Sequence, residues 1–433
     1  MKHLAMTVLA VLAASAFGED RRIDPSRLVV MTLNAEFLWD GREPEEGQVG
    51  FMWRGAPDEA DEHLEEIADI IIAHNPDIVN LCEVENLDAL ERLNTEFLAG
   101  MGYAAYLEKG RDTYTGQDVG LLTRIDPEGG SIVHDRRTGR SGATTKSVSK
   151  NYVARFDVGG RKIGVVGLHF LARPSSEDRR PGRQAQADAV RQMAVELADA
   201  GYDVIVLGDF NDYDGDPDCL DIEGNEPIST VLAQIRGMRP ANTGDDLENA
   251  ASLLPQAARY TAHRDRNRND RVDAPREFSA IDHLLVDQDL WGLVEWADIP
   301  HTYDPLQVSD HYPVVVSLRL DNSGGGNGSV PPLRITAVYP NPPTQERENE
   351  SIRFEVTGTS PMSVNGWRVI DKADTEWELT GTHGPGAFEF TRSGQPMGLN
   401  NGGDRLQLVK PDGTVVQTVV YGKTLDGEWV HVD

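Results

Sequence analysis

"VIVLGDFNDYDGDPD", Val204 to Asp218, begins as a buried strand and turns acidic in its middle. Val204, Ile205, Val206 and Leu207 are all aliphatic, the pattern of a strand covered on both faces. Asp209, Asn211, Asp212, Asp214, Asp216 and Asp218 then crowd together. Carboxylates this close repel one another unless water, a cation or hydrogen-bond donors offset the charge. The stretch is either a solvated acidic loop or part of a site built to hold a metal.

Other segments have the same design, an apolar strand ending in groups that handle metal or phosphate. They are "VMTLNAEF" with Asn34, "VNLCEVEN" with Glu83, "VVGLHF" with His169 and "LQVSDHYP" with Asp310 and His311. "FSAIDHLLV" places Asp282 and His283 near a strand start. Singly each is ordinary: Asn caps turns, and Asp and Asn after Gly are common loop chemistry. Their joint occurrence in one region carries the weight.

Between these strands lie helical patterns. Leu64, Ile67, Ala68 and Ile71 share one helical face that Pro76 closes. A second stripe, Ala187, Val190, Ala194, Leu197 and Ala198, occupies Gln184 to Ala200 and stops at Gly201. Strands with interspersed helices predict an α/β or α+β domain over 26–320. The Gly, Ser and Pro of "LDNSGGGNGSVPP" mark a linker over 321–332. From 333 to 433 the strands are short, β-branched or aromatic and separated by turn residues, which predicts a small all-β sandwich.

The chain of 433 residues carries a formal charge of −30. That excess disfavours loose adsorption to nucleic acid or anionic lipid. A phosphate-bearing substrate then calls for a bridging divalent cation. Residues 1–16, with Lys2 and His3, an apolar run and Ala14-Ser15-Ala16, predict a secretory signal peptide. The mature protein is expected to be secreted, periplasmic or extracellular, without stable membrane insertion. Export permits a disulfide between Cys82 and Cys219, and the sequence leaves the pairing open.

"GDFND" and "SDHYPV", supported by "IDHLLV", "LNAEF" and "CEVEN", closely resemble the endonuclease/exonuclease/phosphatase superfamily over Ser26 to Leu320. The resemblance implies a four-layer α/β/β/α sandwich and metal-dependent phosphoester hydrolysis. It implies Glu83 as principal metal ligand, with Asn34 and Asp310 near the metal or a phosphate oxygen. Asp209 would activate water with Asn211, and His311 would hydrogen-bond the phosphate, held by Asp282. His169 would be a second acid/base, able to protonate the leaving oxygen. Mg²⁺ or Mn²⁺ suits such oxygen ligands, with Ca²⁺ as a possible addition. Asp212, Asp214, Asp216 and Asp218 are then loop solvation or at best a secondary cation site. In "DRNRNDRVD", Asp265, Asn267 and Asn269 resemble a calcium loop that lacks its usual glycine, so a surface loop is expected.

Residues 333–422 resemble the lamin-tail domain through "NGWRVID", "LNNGGDRLQLVKPDG" and "VVQTVVYG". That implies an immunoglobulin-like sandwich that could bind a surface or substrate, with Trp367 in its core. The expected function is a secreted nuclease acting on extracellular DNA or RNA. Two rivals stay open. One is a same-fold hydrolase of a phospholipid headgroup, nucleotide or sugar phosphate. The other is a non-enzymatic adhesion or binding protein acting through the C-terminal sandwich.

Overall fold

Two βαβ units explain the layering of the N-terminal part. The structure is a computed structural model that describes residues 18–42, 57–112, 114–239, 246–320, 333–343, 349–357, 361–371, 375–400, 404–411, 415–421, 427 and 429–431. The leader expected over 1–16 and the linker expected over 321–332 lie outside the described residues. The chain divides into two compact units, 1–324 and 325–433.

In the first unit, one sheet runs Val294–Asp298, Val314–Arg319, Arg27–Leu38, Ile78–Val84, Asp118–Thr123 and Ala104–Leu107. The other runs Leu247–Asn249, Asp282–Asp287, Asp203–Asp209, Arg161–His169 and Lys150–Val158. Each sheet contains one parallel pair: Arg27–Leu38 with Ile78–Val84, and Arg161–His169 with Asp203–Asp209. A parallel pair needs a crossover, and a helix supplies each one. Helix Pro57–His74 packs Leu64, Ile67, Ala68 and Ile71 against Met31, Leu33, Val79 and Leu81. Asp58 and Glu59 in its first turn complement the positive end of the helix dipole. Helix Arg180–Asp199 packs Ala187, Val190, Met193, Ala194 and Leu197 against Val166, Leu168, Val204 and Val206. It starts ahead of the expected Gln184 because Pro181 suits a first helical turn. The facing sides of the two sheets share a third core, including Val30, Cys82, Leu121, Tyr152, Val165, Leu207 and Val316. The layers therefore run helix, sheet, sheet, helix.

Gly208 is required where it stands. Its φ is +140°, and a Cβ there would lie 1.9 Å from the Leu168 carbonyl oxygen. Only glycine lets the Asp203–Asp209 strand approach its neighbour at the point where Asp209 emerges.

Much of the acidic run is paired rather than solvated; Asp218 alone of its aspartates is fully on the surface. Asp212 is fully buried against an equally buried Arg183 at 2.9 Å and accepts a 2.6 Å hydrogen bond from Ser229 Oγ. Asp214 pairs with Arg236 at 2.9 Å and accepts from Asn249 at 3.0 Å, while Arg236 also reaches Asp216. These aspartates bind the loop to the helices behind it, so the reading of Asp212, Asp214 and Asp216 as loop solvation is corrected. Cys82 and Cys219 are both buried free thiols. Among the described residues no helix is long and apolar enough to cross a membrane.

The second unit is all-β. One sheet runs Gly386–Thr391, Ser351–Val356, Leu333–Tyr339 and Val430–His431; the other runs Glu376–Glu378, Arg368–Ile370, Asp404–Val409 and Val415–Tyr421. Both contribute to one core around Ile335, Phe354, Val369, Trp377 and Leu406. Trp367 belongs to that core, 5% exposed.

Arg183→Met strands the Asp212 charge in the interior and should cost about 3–5 kcal/mol in urea unfolding. Adding Asp212→Leu should recover part of that loss. A double variant less stable than the single would contradict the pairing.

Candidate active site

Strand register assembles the site from one sheet. His169 stands beside Asp209 across the parallel pair, and Asp209 stands beside Asp282 across the antiparallel pair. The neighbouring strand places Lys150 opposite His169. Each of these residues is buried. His283, the next residue along from Asp282, faces the other side and meets the Asp212 carbonyl oxygen at 3.0 Å.

The second sheet supplies the rest through irregular backbone. Register shifts fall between Asn34 and Leu38 and between Cys82 and Val84, so Glu36 and Glu83 sit in bulges. Glu36, Glu83 and Asn211 have φ of +45°, +64° and +48°. Asn tolerates this region, but for Glu it stores strain of about 1–3 kcal/mol each, typical of functional positions. The bulges aim both glutamates at the same place. Asn34 Nδ2 then donates to Glu83 Oε1 at 3.3 Å and to Asp209 Oδ2 at 3.2 Å, joining the two sheets.

Asp310 and His311 are bolted to this junction. Ser309 Oγ donates to the Asn34 carbonyl at 2.8 Å, and the Asp310 N–H donates to Glu36 Oε2 at 2.9 Å. His311 Nδ1 and Asp282 Oδ2 are 2.7 Å apart, and Thr261 Oγ1 donates to the same carboxylate oxygen at 2.9 Å. Asn211 donates its backbone N–H to Asp209 Oδ1 at 2.8 Å and its Nδ2 to Oδ2 at 2.9 Å. His169 Nε2 lies 3.4 Å from Asp209 Oδ2 and 3.9 Å from Glu83 Oε1. The eight residues singled out in the sequence thus occupy one pocket.

The pocket is overloaded with negative charge. Burial, then Asp282, pushes Asp209 up to about 8. Burial, then Asp310, pushes Glu36 up to about 7. Burial also raises Glu83 and Asp310, the former opposed by Lys150 and the latter by His311. Burial works against the charge on His311, but Asp282 and Asp310 outweigh it and hold the ring protonated well above its ordinary range. His169 goes the other way: burial, then Lys150 and His311, keeps it neutral.

This donor set fits a hard divalent cation, which relieves clustered carboxylates. Asp209, Asp282 and His311 offer atoms within 4.8 Å of one another. Asp282 and His311 are already committed to each other and both Asp209 oxygens accept hydrogen bonds, so Glu83 and Asp310, whose charges reach each other, are the residues that could hold a cation. Asn34 turns its amide nitrogen toward the carboxylates, and its oxygen accepts from the Glu36 N–H at 3.1 Å. Here it braces the carboxylates.

Sequence reasoning passed over Glu36, Lys150, Thr261 and Ser309. Lys150 Nζ donates to Gln117 Oε1 at 3.2 Å and lies 3.7 Å from Asp112 Oδ2. Its strand, "KNYVARFDV", is broken by Asn151, Arg155 and Asp157 and gives no clear signal. Asp118 braces the adjoining loop by accepting from the Gly110 N–H at 2.7 Å.

Residues 31–311 match the model of the Endonuclease/Exonuclease/phosphatase family. The chain belongs to that family. Its members are generally phosphoester hydrolases, and they typically use divalent metals. A search of curated proteins finds no match. Among solved structures, the chain is similar to an endonuclease/exonuclease/phosphatase from Beutenbergia cavernae, with 17% identity, 92% of this chain and 100% of that chain covered, and a TM-score of 0.44. A 3'-5' exonuclease from Neisseria meningitidis gives 18% identity, 67% and 99% coverage and a TM-score of 0.45. TDP2 from C. elegans gives 16%, 68% and 75%, and 0.41. All three are distant likenesses.

The raised carboxyls set a pH signature for the metal-free family fold. Glu36 and Asp209 titrate near 7 and 8 when folded, against ordinary values of 4.5 and 3.8. Those two groups therefore bind more protons folded than unfolded in that window, and their contribution to stability falls as pH rises from about 4 to 8. Mg²⁺ displaces those protons, so it should raise the melting temperature more at pH 8 than at pH 5. A Mg²⁺ effect equal at both pH values would contradict this.

Proposed function

We propose that this chain is an exported, divalent-metal-dependent phosphodiesterase that cleaves nucleic acid. The observation that carries the reading is the Asn34 junction, where one amide braces Glu83 and Asp209 beside a His311 held charged by Asp282. Phosphodiester hydrolysis needs a neutralised phosphate and a water aligned opposite the leaving oxygen. Mg²⁺ or Mn²⁺ held by Glu83 and Asp310 would neutralise phosphate charge and lower the carboxyl of Asp209.

Asp209 takes a proton from the attacking water, and Asn211 fixes its carboxylate for that task. As the water oxygen bonds to phosphorus, the bond to the leaving oxygen breaks. His311 donates to the phosphate oxygen on which charge builds, and Asp282 holds its ring. Asn34 braces Glu83 and Asp209 beside the phosphate. His169, neutral at its strand end, adds a hydrogen bond, and the departing oxygen collects its proton from water. The export pattern over 1–16 supports an extracellular or periplasmic substrate. The likeness of 333–422 to lamin-tail domains, with their immunoglobulin-like fold, supports an accessory role in holding a surface or substrate.

Bis(p-nitrophenyl) phosphate and plasmid DNA should both be hydrolysed with Mg²⁺ or Mn²⁺, and EDTA should abolish turnover. Asp209→Asn should lower kcat by about 10²–10⁴-fold. Glu83→Gln should raise the Mg²⁺ concentration needed for half-maximal rate. Unchanged kcat in Asp209→Asn would remove that residue from the chemistry.

A further inference from the structure

A short hairpin rises from the edge of the pocket. Its stem pairs Ala262–His263 with Phe278–Ser279, and its loop covers 264–277. The stem is fixed to the catalytic strand ends. Ala262 bridges His311, the His263 N–H donates to the Asp310 carbonyl at 2.8 Å, and the Tyr312 N–H donates to the Thr261 carbonyl at 2.7 Å.

The loop holds five arginines and four acids, in a chain of net charge −30. Three of the acids are spent on the loop itself. Asp265 accepts the backbone N–H groups of Arg268, Asn269 and Asp270 at 2.6, 3.2 and 2.9 Å. Glu277 accepts those of Arg266 and Asp273 at 2.8 and 3.1 Å and faces His263 Nε2 at 3.2 Å. Asp273 accepts from the side chains of Asn267 and Asn269 at 2.6 and 3.0 Å. Arg264, Arg266, Arg268, Arg271 and Arg276 are all exposed to solvent, and none forms an ion pair among the described residues. Arg183 and Lys150 are buried and committed.

Resting on the phosphodiesterase reading, we infer that this arginine hairpin is a polynucleotide-binding arm that grips phosphates flanking the scissile one. Guanidinium forks match phosphate oxygens in geometry and charge. Five exposed guanidinium groups on a loop fixed to the strand ends beside His311 can meet phosphates on either side of the scissile one, which are about 3.4 Å of axis apart along each duplex strand. A small phosphoester bound beside His311 has no groups to offer the arm. The arm therefore selects an internal diester of a long polyanion over a small headgroup or free nucleotide.

The test uses the full chain carrying Arg264→Ala, Arg266→Ala, Arg268→Ala and Arg271→Ala together, with plasmid DNA and bis(p-nitrophenyl) phosphate as substrates. kcat/KM for DNA should fall tenfold or more at low salt, and its logarithmic salt slope should flatten by about 1 for each phosphate the arm no longer grips. Turnover of the small diester should stay unchanged, which also shows that the variant is folded. The corresponding set of Arg→Lys changes should restore most of the salt slope. In an Asp209→Ala background, fluorescence anisotropy with a duplex reads the arm without turnover. Equal losses on both substrates, or an undiminished duplex affinity, would overturn the arm. A wild-type chain that binds duplex but hydrolyses neither substrate would instead overturn the phosphodiesterase reading.

Discussion

Backbone register holds two buried carboxylates side by side where electrostatics alone would drive them apart. Asp209 lies between His169 and Asp282 because three strands pair in one alignment, and Gly208 allows the close approach that alignment needs. A shift of one residue would turn every side chain to the opposite face. The cost of the crowding is visible in carboxyls raised by burial and by one another, and the sheet carries it through its hydrogen bonds. What the fold stores there is a demand for positive charge, met in part by His311 and Lys150 and left open for a cation.

Much of the site could be read from the sequence because its residues end apolar strands. Asn34, Glu83, His169 and Asp209 each follow a run whose burial is plain from composition, whereas Asp310 and His311 follow a turn in which Leu306 is exposed and lead into the strand Val314–Arg319, so the strand expected before them is corrected. The strands themselves fall close to where their patterns put them. Lys150–Val158 does not stand out, since it opens with Lys150 and Asn151, polar residues that are buried only because neighbouring strands cover them. Glu36 is hidden for a different reason: its direction depends on a bulge, which leaves no signature in residue type.

The acidic run shows where such reading fails. Asp212 and Asp214 look like solvated loop residues until Arg183 and Arg236 are brought up beside them by helices distant in sequence. Local charge density cannot distinguish a solvated carboxylate from a paired one; only tertiary contact does. The same run thus divides into a half that lies in the candidate site, Asp209 and Asn211, and a structural half that anchors it. In the hairpin at 264–277 the division is reversed, with three of the four acids hydrogen-bonded within the loop and the arginines left outside.

The most direct test of the account is an anomalous-difference map from a crystal of the protein soaked in Mn²⁺. The account predicts a peak in the pocket with oxygens of Glu83 and Asp310 within about 2.3 Å, a distance typical of oxygen ligands to hard divalent ions. Saturating Mn²⁺ that leaves Glu83 and Asp310 bare, with density only elsewhere on the molecule, would contradict it.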